Sequence, residues 1–258
     1  MFINKISESK RNTFNQCRLK YKYRYIDRIQ ETGDANTDAL HFGSYIHKIL
    51  EDGYQATTMS ELNSWAEKHK ENYKFSKSYN KKIEPCLKNF LRLNASLGET
   101  VAVEHGFNID MGNDIEIIGY IDRIIKGKEG GFLVIDYKTG KREKSKTELY
   151  QDTQMKGYAF ATHREFKIPY NKIVCAHYYP VTDNLVTIQY SESQVAAHMR
   201  SVVNDVWKIR KLKGVEFNPN QNEFCNWCGY KNVCSLFEDP QDIKARLDEA
   251  KPKYKPKA

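Results

Sequence analysis

From Gly98 onward the chain alternates. In TVAVEHGFNID, residues 100–110, apolar and β-branched side chains take nearly every second place, the period of a strand. A turn at Gly112 and Asn113 leads into DIEIIGYIDRIIKG, a second strand, and EGGFLVIDYKTG reads as a third. Glycine-containing connections between the three predict an antiparallel meander. A helical period covers residues 147–163. The runs NKIVCAHYYPV and NLVTIQYSE predict two more strands, and a long helix follows, capped by Ser191 or Ser193 and closed at Gly214. Upstream, residues 7–30 read as a helix starting after Ser7 or Ser9, and residues 31–38 as a polar loop. Residues 39–98 read as mostly helical, with a break at TTMS, a start near Ser60 and a further helix beginning at Pro85. This order predicts an α/β fold, a mixed sheet flanked by helices.

Composition narrows the class. The chain has 258 residues, 40% hydrophobic and 29% charged, enough for one large core. No apolar run approaches the roughly 20 residues of a membrane span, and MFINKISESKRNTF lacks the apolar centre of a leader peptide. A cytoplasmic location with no membrane partner is the expectation. The net charge of +8 favours encounter with polyanions. RLKYKYRYIDR, residues 18–28, supports two readings equally: lysines and stacked tyrosines guiding a nucleic-acid strand, or an amphipathic helix whose tyrosines pack inward. KPKYKPKA at the end reads as a disordered basic tail. No G-x4-G-K-[ST] pattern occurs, so an ATP motor would have to be a separate helicase partner.

Candidate chemistry lies at strand ends. Asp136 and Lys138 are two apart and so share a face. Asp122 sits in an apolar stretch of the adjacent strand, and Arg123 beside it points the other way. Two carboxylates on neighbouring strands need a cation between them, and Mg²⁺ or Mn²⁺ suits oxygen ligands. The plainer reading is a structural Asp–Lys–Asp network. Gly43 and His47 share a helix face, as do Gln154 and Tyr158. Of six cysteines, Cys225, Cys228 and Cys234 form a C-x2-C-x5-C cluster that wants a fourth thiolate, best supplied by Cys17. Zinc and a [4Fe–4S] cluster both accept four thiolates; one distal cysteine plus a compact triad favours iron–sulfur. Cys86 sits mid-helix, and Cys175 reads as a buried structural thiol.

Taken in order, G-x3-H (Gly43 to His47), G-x2-D-R-I (Gly119 to Ile124), D-x-K-T-G (Asp136 to Gly140) and Q-x3-Y (Gln154 to Tyr158) resemble the RecB-like branch of the PD-(D/E)XK nuclease superfamily. One upstream and three downstream cysteines match its iron–sulfur members, which include CRISPR-associated exonucleases and AddB-type nucleases. The resemblance covers about residues 5–238. It implies a restriction-endonuclease-like core in which His47, Asp122, Asp136 and the Tyr137 carbonyl ligate a divalent metal, and Lys138 positions the hydrolytic water. Gln154 and Tyr158 would complete the site, and Cys17, Cys225, Cys228 and Cys234 would hold the [4Fe–4S] cluster. Glu104 lies where some relatives place another acid, its role open. The implied activity is metal-dependent hydrolysis of DNA, single-stranded or at ends. The alternatives are a processing endonuclease in a recombination or CRISPR-adaptation complex, an inactive DNA-binding scaffold, and a zinc-stabilised RNA-binding protein. The expected divisions are an N-terminal helix and loop over 1–38, a helical arch or lid over 39–98, the nuclease core over 99–214, the cluster segment over 215–240 and the basic tail over 241–258.

Overall fold

The computed structural model describes residues 4–31, 37–127, 130–140, 142–212 and 216–250. The centre of the polar loop, the helix end expected at Gly214 and the last eight residues fall outside this set. The chain divides into two compact units, residues 1–36 with 202–258, and residues 37–201.

The first unit is built from both chain ends. A short strand, β1 (Lys5–Ile6), leads into α1 (Glu8–Gln16), capped by the Ser7 side chain. The helix expected over 7–30 breaks at Cys17, whose backbone is extended, and resumes as α2 (Arg18–Tyr21) and a π-helical turn over Lys22–Ile26. Tyr21 and Tyr23 are buried, Tyr21 against Phe14 and Tyr23 against Tyr230. The inward reading therefore holds for these two rings, which are closed to stacking on nucleic acid. Tyr23 donates to the Val233 carbonyl at 3.1 Å, and Tyr230 to the Ile29 carbonyl at 3.0 Å. Arg11, on α1, donates through Nε to Asp205 Oδ2 at 2.7 Å, and both groups are buried.

In the second unit three helices, α3 (Thr37–Asp52), α4 (Met59–His69) and α5 (Lys77–Ser96), precede the strands. Thr58 and Glu61 form a capping box at the start of α4, two residues ahead of the expected Ser60. The helix expected to begin at Pro85 begins at Lys77 and carries Pro85 inside it. Proline marks a helix start because it has no N–H to lose there, but the stripe of Tyr79, Ile83, Leu87 and Phe90 continues through it and packs on the core. Phe42, Tyr45, Ile46, Ile49, Leu50, Leu62, Leu87 and Phe90 share one core with Ile125, Ile135, Tyr137 and Tyr178 of the strands. The helices expected as an arch or lid pack their apolar stripes on the core of this unit. Cys86 is buried in the same core.

The strands are β2 (Glu99–Asp110), β3 (Glu116–Lys126), β4 (Phe132–Tyr137), β5 (Ile173–Tyr179) and β6 (Asn184–Ile188). They lie side by side in chain order, antiparallel except for β4 and β5. The parallel pair is joined through α6 (Lys146–Tyr150) and α7 (Thr153–Phe166), the crossover that parallel strands require. The mixed sheet flanked by helices is the restriction-endonuclease-like arrangement expected. Helix α8 (Glu192–Lys211) opens with Ser191 as its cap and carries the chain from this unit into the first. Pro240–Ala250 form a last helix, α9, where a disordered tail was expected. Pro240 suits a first helical position, and Leu247 and Ala250 pack on Tyr23, Ile29, Tyr230 and Val233. Among the described residues, no helix is long and apolar enough to cross a membrane.

Candidate active site

The end of β4 delivers Asp136 and Lys138. Asp136 is buried, and Lys138 Nζ lies 2.6 Å from its Oδ2. The same ammonium donates to Gln154 Oε1 at 3.1 Å, and Gln154 Nε2 donates to the Tyr158 hydroxyl at 2.8 Å. The Q-x3-Y spacing puts both on one face of α7, so one ion pair and two hydrogen bonds link Asp136, Lys138, Gln154 and Tyr158 in sequence. Burial works to lower the Lys138 pKa, but Asp136, with Asp122 and Asp152 beyond, raises it overall. Tyr158 is pushed well up by burial and by Asp136 and Asp122.

Asp122 comes from β3. Its Oδ2 accepts the Tyr137 N–H at 2.7 Å and lies 3.5 Å from His47 Nδ1. Arg123 faces away, as the alternation predicts, and donates to Thr100 Oγ1 and Asn94 Oδ1. His47 reaches the strands because α3 approaches closely: a side chain at Gly43 would meet Thr139 Oγ1 at 3.0 Å. This contact ties the glycine of G-x3-H to the threonine of D-x-K-T-G. Burial holds the His47 pKa below its ordinary value, leaving a neutral nitrogen. The Tyr137 backbone acts on His47 in the opposite sense to burial, and its N–H binds Asp122.

Glu104, left open by the sequence, joins this group. His47, Glu104 and Asp122 each offer a ligand atom within 4.8 Å of the other two. The pairs Val103–Arg123 and His105–Ile121 set Glu104 opposite Asp122 across β2 and β3. Its φ of 45° is rare for a side-chain-bearing residue inside a strand. Burial and neighbouring carboxylates raise the pKa of both acids: Asp136 and Glu104 act on Asp122, and Glu51 and Asp136 on Glu104. Two crowded carboxylates and a neutral imidazole are a donor set that fits a divalent cation. Of the expected ligands, His47 and Asp122 belong to this tight group. Asp136 lies beside it, near enough to act on His47 and Asp122, with its charge met by Lys138.

The sequence reading missed two residues behind the site. His177 is fully buried on β5, level with Asp136 in the parallel register. Its Nε2 stands 3.8 Å from Asp136 Oδ2 and 3.7 Å from Asp152 Oδ2, beyond hydrogen-bond reach. Asp152, the second, caps α7 through the Met155 N–H at 2.9 Å and pairs with Lys144 at 2.5 Å. An aspartate just before TQMKGYAF is a legible helix cap; nothing local to AHYY marks His177.

In the first unit, Cys17, Cys225, Cys228 and Cys234 line a single pocket with Lys20, Lys231, Phe224 and Phe237. The Lys20 N–H points at the Cys17 sulfur at 3.5 Å and the Asn222 N–H at the Cys225 sulfur at 3.4 Å. Burial and the three neighbouring sulfurs raise the Cys234 thiol. Asn220 and Asn222 donate to the Gln16 carbonyl, fastening the cysteine turns beside Cys17. Four converging thiols with N–H donors on the sulfurs fit a thiolate-bound metal centre. Cys175 is buried on β5, as expected.

The profile of a family described as the PD-(D/E)XK nuclease superfamily matches residues 5–235. Among curated proteins, the chain is similar to a subunit of the ATP-dependent helicase/deoxyribonuclease of Streptococcus pyogenes serotype M6, 23% identical over 257 residues, covering 92% of this chain. The serotype M3 protein of the same name is 22% identical over the same span. The chain spans 23% of the length of these relatives. A solved structure, that of SSO0001, overlaps 90% of this chain and 97% of its own at 18% identity and a TM-score of 0.37, too loose a likeness to argue from.

Proposed function

Because the chain belongs to the PD-(D/E)XK nuclease superfamily, we propose that it is a divalent-metal-dependent deoxyribonuclease, an exonuclease that hydrolyses phosphodiester bonds of single-stranded DNA or of DNA ends. The observation that carries this reading is the adjoining of two groups at the strand ends: the His47, Glu104 and Asp122 ligand atoms, and the Asp136–Lys138–Gln154 chain.

His47, Glu104 and Asp122 would hold Mg²⁺ or Mn²⁺, with Asp136 and the Tyr137 backbone at the margin. Such an ion polarises a phosphoryl oxygen and eases deprotonation of water. Lys138 is held from two sides, by Asp136 and Gln154, and keeps a further N–H to orient the attacking water or to meet charge growing on a phosphoryl oxygen. Gln154 fixes the Lys138 ammonium through its carbonyl and the Tyr158 hydroxyl through its amide. Asp136 anchors Lys138 on a buried strand, where its position is set by packing. Cys17, Cys225, Cys228 and Cys234 would hold a [4Fe–4S] cluster that clamps the cysteine turns to the start of α2. The names of the relatives support DNA as substrate and a helicase as a partner.

Digestion of end-labelled single- and double-stranded DNA with Mg²⁺ or Mn²⁺, beside Asp136→Ala, tests the nuclease reading. Progressive shortening of single strands is expected, and labels at each end report polarity. Cutting of circular single strands would move the assignment to a processing endonuclease. DNA binding without cleavage would make the chain a scaffold. For the cysteines, anaerobically purified protein is expected to be coloured and to contain iron and acid-labile sulfide, both lost in Cys234→Ser. Zinc in place of iron would overturn that cofactor.

A further inference from the structure

Tyr120 is the most exposed aromatic ring among the described residues of the second unit, 67% accessible, against 43% for Tyr150. It stands on β3 two residues before Asp122, so the two side chains leave the strand on the same face. Two residues of strand span about 7 Å, roughly the reach of one nucleotide. Across the hairpin its partner is Gly106, itself two residues after Glu104 on β2. Acid faces acid at one level, and tyrosine faces glycine at the next.

The glycine shapes the ring's seat. A Cβ at residue 106 would come within 3.0 Å of Tyr120 Cε1 and 3.4 Å of Cδ1. Without that atom, the ring settles on the β2 backbone with one side supported and the other turned to solvent. The ring is left in water on a strand whose next three residues are buried. Phe107, by contrast, meets the Tyr158 ring with a centroid separation of 6.2 Å and is buried. The hairpin thus sends Phe107 into the fold and leaves Tyr120 beside the acids.

We propose that Tyr120 is a stacking platform for the nucleobase adjoining the scissile phosphate, and so a substrate-positioning residue. The proposal rests on the nuclease reading for its substrate. Its occupant is a base of a single strand: a divalent cation held by His47, Glu104 and Asp122 would engage a phosphate, and the free side of the ring stands about one nucleotide further along the strand. Every base has a π-face, so the platform accepts DNA of any sequence. It would select against duplex, in which that base is already stacked and paired.

The experiment compares wild type, Tyr120→Ala and Tyr120→Trp on fluorescein-labelled single-stranded DNA. Binding is read by anisotropy in Ca²⁺ and cleavage in Mg²⁺. Tyr120→Ala is expected to bind about tenfold more weakly and to raise KM by a similar factor with kcat nearly unchanged, while Tyr120→Trp matches wild type. Oligonucleotides with abasic residues are expected to bind wild type and Tyr120→Ala alike. Equal binding of intact DNA by wild type and Tyr120→Ala would overturn the platform, as would a loss confined to kcat. Wild type that binds but never cuts, with Tyr120→Ala still weaker, would retire the nuclease reading and leave the platform standing.

Discussion

Lys138→Ala is expected to lower the rate of DNA hydrolysis by about a thousandfold while leaving the protein able to bind Mn²⁺. The two effects separate because different side chains carry them. Lys138 sits between Asp136, at 2.6 Å, and Gln154, at 3.1 Å, and is outside the group formed by His47, Glu104 and Asp122. An ion that binds only the folded state stabilises it by about 2.7 kcal/mol at a hundred times its Kd. Mn²⁺ should therefore raise the Tm of Lys138→Ala as it does that of wild type. Asp122→Ala should lose both the rate and the Mn²⁺-dependent rise in Tm, since one of the three proposed ligands is gone and the Tyr137 N–H loses its acceptor. Removing Lys138 also strips the cation from the buried Asp136 carboxylate, so the variant's metal-free Tm is expected to fall. A Lys138→Ala rate within tenfold of wild type would remove Lys138 from the chemistry.

The second large effect concerns stability. Arg11→Ala is expected to destabilise the first unit by about 3 kcal/mol, near the low end for breaking a buried ion pair. Arg11 and Asp205 are 8% and 3% exposed and meet at 2.7 Å. The cost stays at the low end because Lys208 Nζ remains 2.9 Å from the other Asp205 oxygen. Burial acts to raise the Asp205 pKa, but hydrogen bonds from Lys208, Arg11 and Asn15 bring it below its ordinary value of 3.8. A carboxyl lowered on folding gives stability that is complete above its unfolded pKa and is lost as pH falls through the folded one. Wild type should then lose stability below about pH 4, and Asp205→Asn should lose less over the same range. Thermal melts from pH 6 to pH 3 measure both. An Arg11→Ala melt superimposable on wild type would show that the pair holds nothing.

Most of the sheet was legible because its signals are local. The alternation after Gly98, the turn at Gly112 and the run FLVI each specify an element without help from distant residues. Asp136 with Lys138, and Gln154 with Tyr158, follow from the periods of strand and helix alone. What the sequence hid depends on pairing or on backbone conformation. Glu104 joins His47 and Asp122 through a left-handed φ and a cross-strand register, neither written in its neighbours. His177 lies level with Asp136 only because β5 runs parallel to β4 in one register, across an intervening crossover. Pro85 misled because its local meaning, a helix start, lost to an apolar stripe that crosses it. Tyr23 was ambiguous because its partner Tyr230 lies some two hundred residues away in the chain.

The first unit is interrupted in sequence: its two parts, 1–36 and 202–258, bracket the whole of the second. During synthesis the continuous segment emerges complete while the bracket is still open. Domains fold as units as they leave the ribosome, so the strands bearing Glu104, Asp122 and Asp136 can close before residue 234 exists. Cys17 waits for more than two hundred residues before its three companions are made. Assembly of the thiol-lined pocket therefore follows closure of the sheet. A nascent chain stalled or clipped after residue 201 would carry the acidic strands without the cysteine turns, so the acids and the thiols mark successive stages of one synthesis.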